Sequence, residues 1–254
     1  MRKWAFVLLT TFHTLICANH AFGQDKPVSV ETIERIKSAA VPVVCGALAK
    51  EDTFHVSRIL GSAFFINEEG YFLTAAHVVS ALEKRDTSQV QCFPAIYMPV
   101  GGWQTISKGV HWFLFDECIK DETADIAVCK PKDNPFTAEN VKRQLAFVTL
   151  GTALNLKDGT AIAFTGFPLQ LLRPVTSKGN LATYIETDKK IVIDKTAWHG
   201  ASGSPLYVSD GKVIGILIET GIGESSGLAL ARPGEFIIDF LTKNKIRFYQ
   251  QKQK

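Results

Sequence analysis

Gly61-Ser-Ala-Phe-Phe-Ile-Asn-Glu-Glu-Gly70-Tyr-Phe-Leu-Thr-Ala-Ala-His77-Val-Val is the stretch whose reading decides the fold class. Two apolar runs, Gly61–Ile66 and Tyr71–Ala75, flank Asn67-Glu-Glu-Gly70, a group of turn-forming residues. The stretch reads as a β-hairpin with a histidine at the end of its second strand. Working outward, the same grammar recurs in Val41–Leu48, Ile126–Val128, Ala161–Phe164 and Val213–Ile218, with Ser209-Asp-Gly211 as a further turn. Short apolar or alternating runs punctuated by turns predict an all-β sandwich or barrel. Helical spacing is confined to the two ends. Ser29 is a predicted N-cap, with Glu31 in the first turn, Val30, Ile33 and Ile36 on one face, and Pro42 as the stop. Near the other end, Pro233-Gly-Glu235 opens a segment whose Phe236, Ile237, Phe240 and Leu241 share a face.

The first 23 residues read as a secretory signal peptide. Arg2 and Lys3 form a basic start, Trp4–Ala18 is mostly apolar, and Ala21-Phe-Gly23 is a small-x-small cleavage site before Gln24. Thr10, Thr11, His13 and Thr14 interrupt the apolar run, so no stable membrane insertion is expected. Processing would leave residues 24–254 as a single domain and lower the formal charge from the +3 of the whole chain, which argues against nucleic acid as a partner. The lysines of the C-terminal tail read as a solvated, fraying end.

Four cysteines remain after processing, Cys45, Cys92, Cys118 and Cys129, and an exported chain is disulfide-permissive. Four cysteines allow three pairings. The expectation here is Cys92 with Cys118, because both fall in an irregular stretch, with buried free thiols as the alternative. None of the spacings matches a zinc pair, and no metal or cofactor is expected.

Three segments carry chemistry. His77 closes the hairpin, Asp125 opens the apolar run Ile126-Ala-Val128, and Ser202 sits in the small-residue turn Gly200-Ala-Ser202-Gly-Ser-Pro205. A serine that cleaves an amide needs a base, a buried carboxylate to hold the base's tautomer, and donors for the developing oxyanion. Gly200 can turn its backbone N–H towards the same point as that of Ser202, which makes the two N–H groups an oxyanion hole. Asp116 and Asp121 read as solvated loop acids, and Trp103, Trp112 and Trp198 as packing aromatics.

In this order of histidine, aspartate and serine, the motifs resemble the trypsin-like serine peptidases of the chymotrypsin fold. Gly-Ser-x-Phe-x-Ile-x-x-x-Gly-Tyr-x-Leu-Thr-x-x-His-Val-Val and Val175-Thr-Ser-Lys-Gly179 resemble bacterial HtrA-like members, and Gly-x-Ser-Gly-Ser-Pro the glutamyl endopeptidases. The resemblance implies two perpendicular antiparallel β-barrels, roughly 41–135 and 145–232, followed by a helix over 233–243, with the site in the cleft between them. It implies Ser202 as nucleophile, His77 as base and then acid, Asp125 as the group orienting the imidazole, and protein or peptide substrates. It also implies a bacterial, exported enzyme, periplasmic or extracellular. A catalytically weak or inactive binding protein on the same fold is the competing expectation.

Departures from the family matter too. Ala201 replaces the aspartate that pairs with a new N-terminus in the digestive enzymes, Val78 replaces a cysteine, and the expectation is a member without a PDZ domain. Alignment on Ser202 lines the specificity pocket with Thr196, Ala197, Leu217, Ile218 and Glu219, with Leu228 and Ala229 behind and His199 at the rim. No floor carboxylate stands there for Lys or Arg, and Leu217 replaces the histidine of the glutamyl-specific relatives. A small or medium apolar preference is expected. The sequence is silent on oligomeric state.

Overall fold

The computed structural model describes residues 26–48, 54–83, 92–220 and 227–250, so the predicted signal peptide lies outside the described residues. Helix α1 (Val30–Ala39) starts where expected, its first turn capped by Ser29, whose Oγ accepts from Thr32 N at 3.1 Å. It ends before Pro42, because Ala40 is already extended at φ −85°, ψ 136°. Pro42 instead lies inside β1 (Ala40–Leu48), at a position where only one neighbour pairs with the strand, so its missing N–H costs no ladder bond.

The first sheet continues with β2 (Phe54–Phe65), β3 (Phe72–Thr74), then helix α2 (Ala76–Glu83), β4 (Phe93–Pro99), β5 (Val110–Leu114), β6 (Cys118–Asp121) and β7 (Ile126–Cys129). Its seven strands run in the order β5-β4-β1-β2-β3-β7-β6, and every pairing is antiparallel. The described pairings leave it open, a half-barrel where a closed barrel was expected. The predicted β2–β3 turn is built by Asn67, whose Oδ1 accepts from Glu69 N and Tyr71 N at 3.1 and 3.2 Å, while Gly70 takes φ +86°.

The second sheet comprises β8 (Thr149–Leu150), β9 (Ala161–Gly166), β10 (Val175–Ile185), β11 (Lys190–Ile193), β12 (Pro205–Val208), β13 (Lys212–Thr220) and β14 (Ala229–Pro233), with helix α3 (Gly234–Lys243) and then β15 (Tyr249–Gln250). The order β12-β9-β10-β11-β14-β13 closes through β12–β13, giving a complete barrel. Two parallel pairings, β13–β8 and β8–β15, are an addition to the antiparallel plan. Because β15 joins the sheet and Asn67 Nδ2 donates to Arg247 O at 2.6 Å, the chain is tied down as far as Gln250, and the expected fraying does not begin at Lys243.

One hydrophobic cluster straddles both sheets. Ile33 of α1, Phe64, Leu73, Ile126 and Val128 of the half-barrel pack with Tyr207, Val213, Ile216 and Ile237 of the barrel side. Burying an aliphatic or aromatic side chain is worth about 1.5–3 kcal/mol, so this shared core holds the halves in one relative position. Hydrogen bonds from α1 add to it, with Thr32 Oγ1 and Arg35 Nη2 donating to Ser209 O and Asp210 O at 3.1 and 2.9 Å.

The disulfides are Cys45–Cys92 and Cys118–Cys129, not Cys92–Cys118. Register decides this. Cys118 and Cys129 are direct partners on β6 and β7, and the β1–β4 pairing brings Cys45 beside the residue preceding β4. The stretch that looked irregular holds three strands and a short 3-10 helix, Trp103–Lys108. Among the described residues no helix is long and apolar enough to cross a membrane.

Candidate active site

His77 is the second residue of α2 rather than the end of a strand. Its N-terminal turn is held from afar: Asp125 Oδ1 accepts the backbone N–H of His77 at 2.9 Å, and Asp125 Oδ2 lies 2.8 Å from His77 Nδ1. The single carboxylate thus fixes both the helix end and the ring, and leaves Nε2 without a hydrogen-bond partner among the described residues. Asp125 is only half-buried, its side chain 23 % exposed, where full burial was expected. Burial starts one residue later, at Ile126. The acid sits in the turn before β7 with φ +55°, a left-handed conformation that non-glycine residues avoid and that persists only where the surroundings enforce it.

Those surroundings can be named. Asp121 is no free loop acid, since its Oδ1 accepts from Thr123 N and Ala124 N at 3.0 and 2.9 Å. Ser80 of α2 donates to Glu122 Oε1 at 2.9 Å, and Lys120 approaches the same oxygen at 3.2 Å. The Ser80 hydroxyl first, and then Lys120, hold the Glu122 carboxyl below its ordinary range. Arg232, on β14 of the other sheet, donates to Ala124 O at 2.8 Å.

Ser202 reaches this pair through the backbone. Its carbonyl accepts from Ser62 N at 2.8 Å, and Gly61 lies between Ser202 and the helix that carries His77. A Cβ on Gly61 would stand 2.6 Å from Val78 Cγ2 and 2.9 Å from Ser202 O, so only glycine lets the turn and the helix approach. No hydrogen bond among the described residues joins Ser202 Oγ to the imidazole. Such contacts are commonly loose before substrate is bound.

Gly200 has φ +93°, and a Cβ there would lie 2.5 Å from Phe167 O. Ala201 N–H donates to Trp198 O at 2.9 Å, whereas the N–H groups of Gly200 and Ser202 have no acceptor among the described residues. Two side-chain supports for this turn escaped the sequence reading. Ser62, fully buried, donates to Gly200 O at 2.7 Å and accepts from Phe167 N at 2.8 Å. Gln170 clips both Ile59 N and Ile59 O at 2.8 Å, and the adjoining Leu169 N–H donates to His199 O at 2.8 Å, which orients the peptide carrying Gly200 N–H. A buried serine in an apolar run was the available signal for Ser62. Gln170 had none.

The predicted pocket residues divide. Ala197 and Leu217 are buried in one cluster with Ala201 and Ala229, and Ile218 is buried as well. Thr196 is half-buried, His199 is exposed, and Leu228 is 37 % exposed. Glu219 lies in β13 opposite Leu230, and its side chain is outside the described residues. Trp198 is 56 % exposed, so it is not the packing aromatic it was expected to be; Trp103 and Trp112 do pack, around Tyr97. Among the described residues no group of three or more His, Cys, Asp or Glu could hold a metal ion.

Comparison with known proteins gives this geometry its relatives. The chain is 27 % identical over 235 residues to serine protease HTRA1 of Xenopus tropicalis, covering 85 % of this chain and 43 % of that protein. It is 31 % identical over 255 residues to a probable periplasmic serine endoprotease, DegP-like, of Halomonas elongata, covering 92 % and 46 %. The chain therefore spans about half the length of the curated relatives it matches. The crystal structure of Deg5 superposes with a TM-score of 0.62 over 86 % of this chain and 95 % of that one at 18 % identity, a likeness of fold. The model of the trypsin-like peptidase domain matches residues 61–216, which contain the hairpin, the Asp125 turn and the Gly200–Ser202 turn, and on this evidence the chain belongs to the trypsin-like peptidase family, among HtrA-type relatives.

Proposed function

We propose that this chain is an exported serine endopeptidase. Ser202 Oγ attacks the scissile carbonyl, His77 Nε2 takes its proton and returns it to the leaving amine, and Asp125 holds Nδ1–H and stabilises the imidazolium. The N–H groups of Gly200 and Ser202 stabilise the oxyanion of the tetrahedral intermediate, and an acyl-enzyme on Ser202 is then hydrolysed. The observation that carries the reading is the His77–Asp125 pair, bonded at 2.8 Å and set against a turn whose two outer N–H groups are uncommitted. Export is supported by the two disulfides, by the signal-like first 23 residues, and by the periplasmic relative from Halomonas elongata. A small or medium apolar residue before the cleaved bond is the preference in keeping with the apolar cluster of Ala197, Leu217 and Ala229.

A fluorophosphonate probe tests the nucleophile, and digestion of an unfolded protein tests the activity. Wild type should be labelled on Ser202 and should cleave; Ser202→Ala should do neither. Asp125→Asn should fold and lose on the order of 10⁴-fold in kcat, because the imidazole loses its tautomer partner. An unlabelled wild type, or equal cutting by Ser202→Ala, would favour the binding-protein reading. A peptide-library profile dominated by Lys, Arg or Glu would overturn the specificity assignment.

A further inference from the structure

Arg232 is a charged side chain placed where charge is expensive. It lies on β14, is 8 % exposed, and forms no ion pair with a carboxylate among the described residues. Its partners are backbone carbonyls. Nε donates to Ala124 O at 2.8 Å, Nη2 reaches Thr123 O at 3.5 Å, and Nη1 donates to Asp188 O and Lys189 O at 3.1 and 3.0 Å; the guanidinium also stands 5.5 Å from the Phe236 ring. A buried charge neutralised only by carbonyl dipoles adds little to stability compared with an apolar residue of similar volume. Its placement suggests another use.

Two of the four carbonyls precede Asp125 directly. Ala124 C=O belongs to the peptide whose plane sets φ of Asp125, and that φ is +55°. Released, the peptide would be free to rotate towards negative φ, the favoured region for an aspartate, and would carry the carboxylate away from His77. Arg232 is also in register with Ile216 on β13, and the next residue, Leu217, accepts from Gly203 N at 2.7 Å and donates to Ser204 O at 2.9 Å. A chain of direct contacts therefore runs from the Asp125 turn of the half-barrel, through Arg232, to the backbone beside Ser202 in the barrel.

We propose that Arg232 is a positioning residue for the acid of the site: reaching across from the opposite sheet, it pins the Ala124–Asp125 peptide and so holds the carboxylate on His77 in line with Ser202. The proposal rests on Asp125 serving as the acid of the triad. Its role is geometric, since the guanidinium touches neither substrate nor reacting atoms.

Arg232→Met and Arg232→Lys, beside wild type and Ser202→Ala, test it. Steady-state cleavage of one peptide should show kcat falling by about 100-fold in Arg232→Met, the size of loss that a misplacement near 1 Å brings, with KM changed by no more than about two-fold. Arg232→Lys, which keeps the charge but not the planar fork, should fall between. The low-field proton resonance of the His77–Asp125 hydrogen bond supplies a readout independent of turnover. It should be present in wild type and Ser202→Ala, and weakened or shifted in Arg232→Met. If either variant melts cooperatively yet keeps wild-type kcat and an unaltered resonance, the proposal is overturned. Should Arg232→Met not fold, Arg232→Lys decides on the same two measurements. A wild type that cleaves nothing while its resonance still responds to Arg232→Met would sink the peptidase reading and leave the positioning role supported.

Discussion

Two fully buried serines, Ser62 and Ser204, both face Gly166 and should respond in opposite ways to the same substitution. Ser62 Oγ donates to Gly200 O at 2.7 Å and accepts from Phe167 N at 2.8 Å. Ser204 Oγ has no hydrogen-bond partner. Ser62→Ala orphans the half-buried Gly200 carbonyl and the buried Phe167 N–H, and an unsatisfied buried group costs about 1–3 kcal/mol. The middle of that range for the N–H and its low end for the partly solvated carbonyl give a loss of about 3 kcal/mol, or about 10 °C in melting temperature for a domain of this size. Ser204→Ala removes only an unpaired hydroxyl, so its stability should be unchanged or up to about 1 kcal/mol higher. The catalytic consequence follows from the same bond. Freeing Gly200 C=O loosens the peptide that joins the two oxyanion donors, Gly200 N–H and Ser202 N–H, and kcat should fall towards the roughly 100-fold that loss of one such donor costs, while Ser204→Ala stays near wild type. Calorimetric melts and peptide turnover on the two variants suffice. Equal melting temperatures, or a Ser62→Ala enzyme as active as wild type, would refute the reasoning.

The disulfides should separate stability from activity. Chain-entropy reasoning assigns about 4 kcal/mol to Cys45–Cys92, which closes 47 residues, and about 3 kcal/mol to Cys118–Cys129, which closes 11. The Cys45→Ser/Cys92→Ser protein should therefore melt lower, whereas Cys118→Ser/Cys129→Ser, which unties the strands flanking the Asp125 turn, should lose more turnover; melting curves and kcat on both would expose the reverse order. For Glu122, whose carboxyl the Ser80 hydroxyl and Lys120 hold below the usual value near 4.5, the folded state favours the ionised form. Its stabilising contribution is thus fully present above the unfolded value and is lost as pH falls through the lower folded value. The melting-temperature gap between wild type and Glu122→Ala should be open at neutral pH and close in acid, and a gap independent of pH would contradict the assignment.

What the sequence revealed and what it concealed divide along the range of the interactions involved. Ser29 caps its own helix, Asn67 folds its own turn, and the apolar runs of β2, β9 and β13 announce buried strands, because each of these features is settled within a few residues. Strands β4 and β5 were not legible: Phe93-Pro-Ala-Ile-Tyr-Met-Pro99 looks like loop with a proline near each end, and it becomes a strand by lying against β1, some fifty residues earlier. The disulfide pairing depends on that same register and was missed for the same reason. Arg232 reads locally as an ordinary cation before a helix, and its four carbonyl partners are all distant in sequence.

Helix α2 is the most instructive of these cases. Thr74-Ala-Ala-His77-Val-Val is continuous and apolar, so it reads as strand, and Ala75 offers no side-chain oxygen to start a helix. The missing cap comes from Asp125, 48 residues away, whose Oδ1 takes the His77 N–H while its Oδ2 takes the ring. One carboxylate therefore does locally for the helix what it does chemically for the histidine. The helix end that carries the imidazole and the hydrogen bond to its ring thus depend on the same side chain, and the motifs reveal the residues without revealing the helix that presents them.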